Sequence, residues 1–263
     1  MAATFIKAGT RVPPSAAGLQ LTGRRPRDRI LDHQREYIEQ GRDAVIAGKD
    51  AEIEYLPWHA EPLAAVDLEG TGAQDGASEA ILEIAAVPFS GPAPNLAEAY
   101  STVVNPDRPV PRRPWISPGL TDTTLAAAPR WDSTADLVAG MLDGRWIVGH
   151  NVGVDWRLLS RRIPGLRAAG LIDTLRLSRA EGLPGPLGLE HVVDALDLGS
   201  AVRDAVPGGQ PHRALWDAVA AGLLLPALVE KIWPERAPTI TQLVARSDAG
   251  RQPQDALDQD ALF

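Results

Sequence analysis

Apolar positions fall into short runs rich in β-branched residues across the first part of the central region, then shift to helical spacing. Leu63 to Leu68, Ile81 to Val87 and Ala99 to Val104 read as strands, each bounded by Gly, Pro or Asn. Three strands in succession favour an antiparallel meander. Thr134 to Leu142 is predicted helical, Trp146 to Gly149 is a short apolar run ending in a loop, and Asp155–Arg162, Thr174–Ala180 and Leu189–Leu196 are predicted helices. Arg213 to Val229 is the most apolar helix, expected to pack deep and to kink or end near Pro226, whose ring opposes a helix interior. The order of strands, helix, strand and helices predicts an α/β layer fold with a mixed central sheet flanked by helices.

The flanks differ. Residues 1–23 are small, polar and proline-broken, and Ile30, Leu31, Tyr37, Ile38 and Val45 then recur at helical spacing among charges, which predicts an exposed amphipathic helix over 24–49. From Pro234 onward the chain is polar and shows no clear period. The expected division is an N-terminal extension over 1–61, one domain over 62–230 and a polar tail over 231–263.

Composition narrows the class. Hydrophobic content of 44% with 23% charged residues is that of a packed globular chain. The absence of cysteine excludes disulfides and thiolate metal sites. The longest apolar run, Ala218 to Val229, is too short to span a bilayer, and the N-terminus lacks a signal-peptide pattern, so the expected place is the cytoplasm. Of the net charge of −8, residues 62–230 carry −7, from thirteen basic and twenty acidic groups. No basic stripe marks a nucleic-acid binder there.

The acids carry the chemistry. Ala64 to Gly72 reads AAVDLEGTG: an apolar run ends in Asp67, one leucine, then Glu69. Residues two apart on a strand share a face, so the two carboxylates project side by side with Leu68 turned away. Such a pair repels, and oxygen ligands without cysteine suit Mg²⁺ or Mn²⁺. Two ordinary surface acids at a strand end are the competing explanation. A second element, Ile147 to Leu159, ends an apolar run at a polar turn and places Asp155 in the first turn of a helix, where an acid also suits the helix dipole. In the third, His212 to Leu225, Asp217 sits in a helix that is otherwise nearly all apolar, and a buried acid needs a partner. His212 stands five residues earlier, after Pro207-Gly208-Gly209-Gln210-Pro211.

Together the three elements resemble the DnaQ-like exonucleases with the DEDDh signature, members of the ribonuclease H-like superfamily, over residues 62–230. The motifs are Asp67-Leu68-Glu69-Gly70-Thr71-Gly72, His150-Asn151 through Asp155, and His212-Arg213-Ala214-Leu215-Trp216-Asp217. Gly119-Leu120-Thr121-Asp122 and Ile172-Asp173-Thr174 resemble lesser segments of that family. Gly70 departs from it, since many members carry threonine or methionine there, and should loosen the turn without removing a ligand.

The resemblance implies two divalent ions, Mg²⁺ or Mn²⁺, held by Asp67, Glu69, Asp155 and Asp217, that clamp a scissile phosphate. It implies His212 as the general base toward the attacking water, carried in on its glycine-rich approach loop. Gly70, Thr71 and Asn151 are implied substrate contacts. The implied activity is 3′→5′ release of nucleoside monophosphates from single-stranded DNA ends, of proofreading or repair type. RNA trimming, as by oligoribonuclease or ribonuclease T, is the alternative, because the Asp67 and His212 motifs resemble oligoribonuclease while the His150-Asn151 motif is more similar to proofreading subunits. A catalytically silent nucleic-acid-binding scaffold is the alternative of another class. Arg108, Arg112, Arg113, Arg157, Arg161 and Arg162 are candidates for phosphate contacts, solvated surface charge being the commoner role. His33, His59 and His191 are expected to be structural or surface residues.

The sequence closes with Gln259-Asp260-Ala261-Leu262-Phe263, which resembles the short peptide by which bacterial polymerase-associated proteins bind a sliding clamp. Gln259, Leu262 and Phe263 would be its contacts, and the clamp or a polymerase the partner.

Overall fold

A computed structural model describes residues 56–250 of the chain. The helix expected over 24–49 and the clamp-binding peptide lie outside the described residues.

Strand β1 (Leu63–Gly70) forms the middle of a mixed sheet. On one side it pairs antiparallel with β2 (Ile81–Ser90). The outer edge of β2 is shared by two short antiparallel strands, β3 (Ala93–Pro94) and β4 (Tyr100–Val103). On the other side β1 runs parallel to β5 (Trp146–Gly149), which runs parallel to β6 (Gly170–Asp173). The expected meander is thus β1, β2 and β4. The sequence pattern does not announce β6: a four-residue segment with only Leu171 and Ile172 strongly apolar carries little period-two signal.

Alternation along β1 fixes the two layers. Leu63 and Ala65 face a core with Ala85, Val87, Val148 and the long helix α7 (Ala214–Ile232). Ala64 and Val66 face the opposite core with Ile84, Ala86 and Ile147. That core is closed by α2 (Trp131–Leu142) and α3 (Val152–Arg162). The four-residue α1 (Asp122–Leu125) precedes α2 and is opened by a capping box between Thr121 and Thr124.

Helix α4 (Thr174–Glu181) follows β6 directly, capped by the Asp173 carboxylate, which accepts from the amides of Leu175 and Arg176. Two short helices, α5 (Leu189–Ala195) and α6 (Gly199–Ala205), lead to α7. α6 is absent from the expected elements; its one buried apolar residue is Val202. α7 does not stop at Pro226 but continues six residues to Ile232. An interior proline costs a helix about 3 kcal/mol. Burial of Leu224, Leu225, Leu228 and Val229 around it offsets that cost.

The polar stretch after Pro234 also holds a helix, α8 (Ile240–Ala249). Thr239 and Gln242 form its capping box, and Leu243 is fully buried with Ile240 and Val244 packed beside it. Arg246 donates to the carbonyl of Ala180 at the end of α4. No helix among the described residues is long and apolar enough to cross a membrane.

Candidate active site

Asp67 and Glu69 continue the alternation of Leu63 and Ala65, so both project toward α7, while Leu68 packs against the opposite layer. Asp217 lies in the first turn of α7. Its carboxylate meets theirs: one oxygen from each of Asp67, Glu69 and Asp217 lies within 4.8 Å of the others. Three groups from two distant segments converge because α7 packs its N-terminal end over the end of β1.

Asp155 reaches the same place from the other layer and is buried, with 8% exposure. The pairing of β5 with β1 ends at Ala65–Val148, whereas β2 stays paired to the end of β1, so beyond that point the β1 amides on the β5 side have no strand partner. Asp155 takes one of them: its Oδ1 accepts from Leu68 N–H at 3.0 Å. It stands beside the three-carboxylate cluster rather than within its 4.8 Å group.

Crowding and burial act together on these acids. Asp67 is raised well above the ordinary carboxylate range, first by burial and then by the charges of Asp155, Asp217, Glu69 and Glu83. Burial raises Asp155 to about 8, although the Leu68 amide opposes the shift. Burial raises Glu69 to about 7; the Ser117 hydroxyl, which donates to Glu69 Oε2 at 2.6 Å, pulls the other way. Asp217 is raised to about 6, again by burial, against the His212 amide that donates to its Oδ1 at 3.2 Å. An all-oxygen donor set that charges itself at such cost fits a hard divalent cation.

His212 is exposed and adopts a left-handed backbone, with φ of 60°. It meets Asp217 through its backbone, which leaves the imidazole at the rim of the site. Arg213 next to it donates from Nε and Nη2 to both oxygens of Glu83, at 2.7 and 2.8 Å.

A groove of about 210 Å³ opens beside the acids, lined by Leu68, Glu69, Gly70, Gly72, Trp115, Val154, Asp155 and Leu158 among others. Trp115 is 51% exposed. Its indole N–H donates to the Thr71 carbonyl at 3.3 Å, and the Arg113 guanidinium lies 5.6 Å from its ring centroid. A Cβ on Gly72 would meet Trp115 Nε1 at 2.7 Å, and φ there is 96°, so only glycine fits under the indole.

Of the expected substrate contacts, Gly70 lines this groove, whereas Thr71 is fully buried beneath it. The Thr71 hydroxyl accepts from the Ala80 amide and its own N–H donates to the Ala80 carbonyl, both at 3.0 Å. The turn after Gly70 is therefore pinned rather than loosened. A Cβ on Gly70 would lie 3.2 Å from the Ala80 oxygen, tighter than the pinned backbone accommodates easily. Asn151 has φ of 65° at the start of α3 and donates its amide to Asp173.

Five of the six candidate phosphate-binding arginines are engaged inside the protein. Arg108 and Arg113 both hold Asp75, and Arg113 also donates to the Thr71 carbonyl. Arg157 forks Glu79, Arg161 lies 3.6 Å from the same carboxylate, and Arg162 donates to the Glu79 carbonyl. These bonds brace the 71–80 loop over the groove. Arg112 is exposed and takes no part in that bracing. His59 packs edge-on to Trp58 and His191 is exposed, whereas His33 lies outside the described residues. His150 is held by Thr174 Oγ1 and the Leu187 carbonyl, and burial lowers its pKa.

Sequence reasoning does not single out Ser117, Glu83, Arg213 or Trp115 as site residues. Glu83 is readable in principle, since an acid inside the apolar run of β2 needs a partner. Nothing in the sequence marks Ser117.

The sequence profile described as "Exonuclease" matches residues 64–225, which contain every acid of the site. The chain belongs to the exonuclease family. It is a DnaQ-like member of the ribonuclease H-like superfamily. Among curated relatives, the 3′-5′ exonuclease DinG of Bacillus subtilis is 28% identical over 187 residues, covering 68% of this chain and 19% of that protein. A DNA polymerase III subunit epsilon-like protein of Rhodobacter capsulatus is 28% identical over 198 residues, covering 71% of this chain and 27% of that one. This chain thus spans about a fifth of the first relative and about a quarter of the second. Among solved structures, Exonuclease X in complex with 5′ overhanging duplex DNA matches at a TM-score of 0.50 and 24% identity, covering 70% of this chain and 99% of the other. That likeness is one of fold.

Proposed function

We propose that this domain is a 3′→5′ exonuclease that releases nucleoside monophosphates from single-stranded DNA ends. The observation that carries the reading is the convergence of Asp67, Glu69 and Asp217, with Asp155 beside them and His212 at the rim. These four carboxylates would hold two Mg²⁺ or Mn²⁺ ions. Bound there, the ions neutralise the acids and supply Lewis acidity to a phosphodiester. His212 acts as general base: its imidazole takes the proton of the attacking water, and its backbone amide keeps Asp217 oriented. Gly70 lets the terminal sugar approach the backbone, and the half-exposed Trp115 offers a face on which a base can stack. A single strand suits the groove because stacking on an aromatic face tolerates any base.

A proofreading or repair role in the cytoplasm belongs to this reading, supported by relatives named as an exonuclease and a polymerase-subunit-like protein. A sliding clamp contacted through Gln259, Leu262 and Phe263 is a separate proposal; loss of binding to purified clamp on Phe263→Ala is its test. A silent scaffold is disfavoured because every ligand position and the histidine are filled.

The test is degradation of 5′-labelled single-stranded DNA and RNA, in parallel, with Mg²⁺, Mn²⁺ or EDTA, using Asp217→Ala as control. A ladder shortening from the 3′ end on DNA, abolished by EDTA and by the substitution, is the expected result. Faster cleavage of RNA would move the protein to the trimming class. No cleavage of either strand by folded protein would leave the scaffold.

A further inference from the structure

Glu83 is a fifth carboxylate at the site, and it is kept out. In the β1–β2 register it lies directly opposite Glu69, on the face shared with Asp67 and Ala85. It is buried, with 6% exposure, and its charge raises Asp67, Glu69 and Asp217 alike. Yet among the described residues the close carboxylate cluster contains Asp67, Glu69 and Asp217 and not Glu83.

Arg213 accounts for this. Its Nε and Nη2 take both Glu83 oxygens, and the Ala214 amide also points at Oε2 from 3.4 Å. A planar guanidinium matches a carboxylate in this bidentate way, and lysine cannot. The tie joins β2 to the start of α7 across 130 residues. It sits between His212, with its left-handed backbone, and Ala214, the first residue of the helix that carries Asp217. An acid at this depth without its arginine would turn to the nearest cation.

We infer that Arg213 is a positioning residue that withholds Glu83 from the metal-binding carboxylates while anchoring the helix start that bears His212 and Asp217. The inference rests on the metal-site reading above. It goes beyond that reading in assigning a residue whose task is to limit the number of ligands.

The experiment measures Mn²⁺ binding to the full chain by the loss of the free-ion paramagnetic resonance signal, alongside kcat and KM on labelled single-stranded DNA. The proteins are wild type, Arg213→Gln, Arg213→Lys, the double variant Glu83→Gln/Arg213→Gln, and Asp217→Ala. Freed Glu83 adds one negative charge near the cations, so Arg213→Gln should bind Mn²⁺ roughly tenfold more tightly. Its kcat should fall by about tenfold to a hundredfold through misplacement, with KM little changed. Removing the Glu83 charge as well should return Mn²⁺ affinity to within about twofold of wild type and recover part of kcat. Arg213→Lys keeps the charge but not the fork, so its Mn²⁺ affinity should stay near wild type while kcat falls; it decides the matter if Arg213→Gln does not fold. Equal Mn²⁺ affinity and kcat in Arg213→Gln and the double variant would overturn the inference, as would Arg213→Lys with unchanged kcat. Asp217→Ala separates the metal site from the role of Arg213. If it does not weaken Mn²⁺ binding, the metal-site reading itself fails and takes this inference with it.

Discussion

Asp155 Oδ1 accepts the Leu68 amide at 3.0 Å, so one carboxylate both finishes the central strand and charges the acidic site. The two jobs can be separated. Asn keeps an acceptor for the amide and removes the charge; Ala removes both. Asp155→Asn should abolish nuclease activity yet melt higher than wild type in EDTA at pH 8, because a buried carboxylate raised to about 8 no longer has to ionise among like charges. Asp155→Ala gains the same relief from charge but should be less stable than Asp155→Asn by about 1–3 kcal/mol through the orphaned Leu68 amide. Thermal melts with a parallel nuclease assay check both. An Asn variant that melts below wild type would count against the electrostatic account.

The raised acids also fix the sign of pH dependence in the metal-free protein. Glu69, Asp155 and Asp217 have folded values of about 7, about 8 and about 6, all above their ordinary values. A group raised on folding stabilises the folded state below its unfolded pKa and loses that contribution as pH climbs through the folded pKa. In EDTA the melting temperature should therefore rise as pH falls from about 8 toward about 5. Saturating Mn²⁺ should flatten or reverse the slope, since the cation then holds the ionised forms. An EDTA melting curve with no slope over this window would show that the acids do not repel as placed.

Much of the architecture is legible in the sequence because the pattern and the physics agree. Alternation through Leu63–Val66 demands two cores, and it carries Asp67 and Glu69 onto one face. Where the sequence misleads, tertiary packing or a sparse signal is the reason. Pro226 breaks an isolated helix, but α7 is enclosed on several sides and passes through it. α8 escapes a reading of the pattern although Ile240, Leu243 and Val244 have helical spacing and Thr239-x-x-Gln242 is a capping box, because the polar flanks dilute both. The arginines illustrate a different limit. Their number says nothing of destination, and Asp75 and Glu79, acids the sequence does not distinguish, claim four of their side chains.

Trp115 offers the most direct probe of substrate contact. Stacking on an aromatic face contributes about 1–3 kcal/mol per base. Trp115→Ala should raise KM for single-stranded oligonucleotides about 5- to 150-fold, with kcat changed less. Trp115→Phe should recover most of the affinity despite losing the bond to the Thr71 carbonyl. Steady-state kinetics on short and long oligonucleotides would show it, and an unchanged KM in the Ala variant would remove Trp115 from the binding path.

His212 can be tested without disturbing its backbone. Its φ of 60° is one that glycine adopts freely and other residues adopt at a cost of about 1–3 kcal/mol. The contact to Asp217 runs through the backbone amide, which glycine keeps. His212→Gly should therefore fold, melt no lower than wild type and bind Mn²⁺ normally. It should also lose about 10²- to 10⁴-fold in kcat, the usual worth of a positioned general base. Added imidazole should restore part of the rate, because the vacated rim is open to solvent. If the variant keeps wild-type kcat, the histidine serves only to shape the turn, and proton transfer must be assigned elsewhere. If instead Mn²⁺ binding falls with the rate, the backbone contact to Asp217 depends on the imidazole, and the separation of the two roles fails.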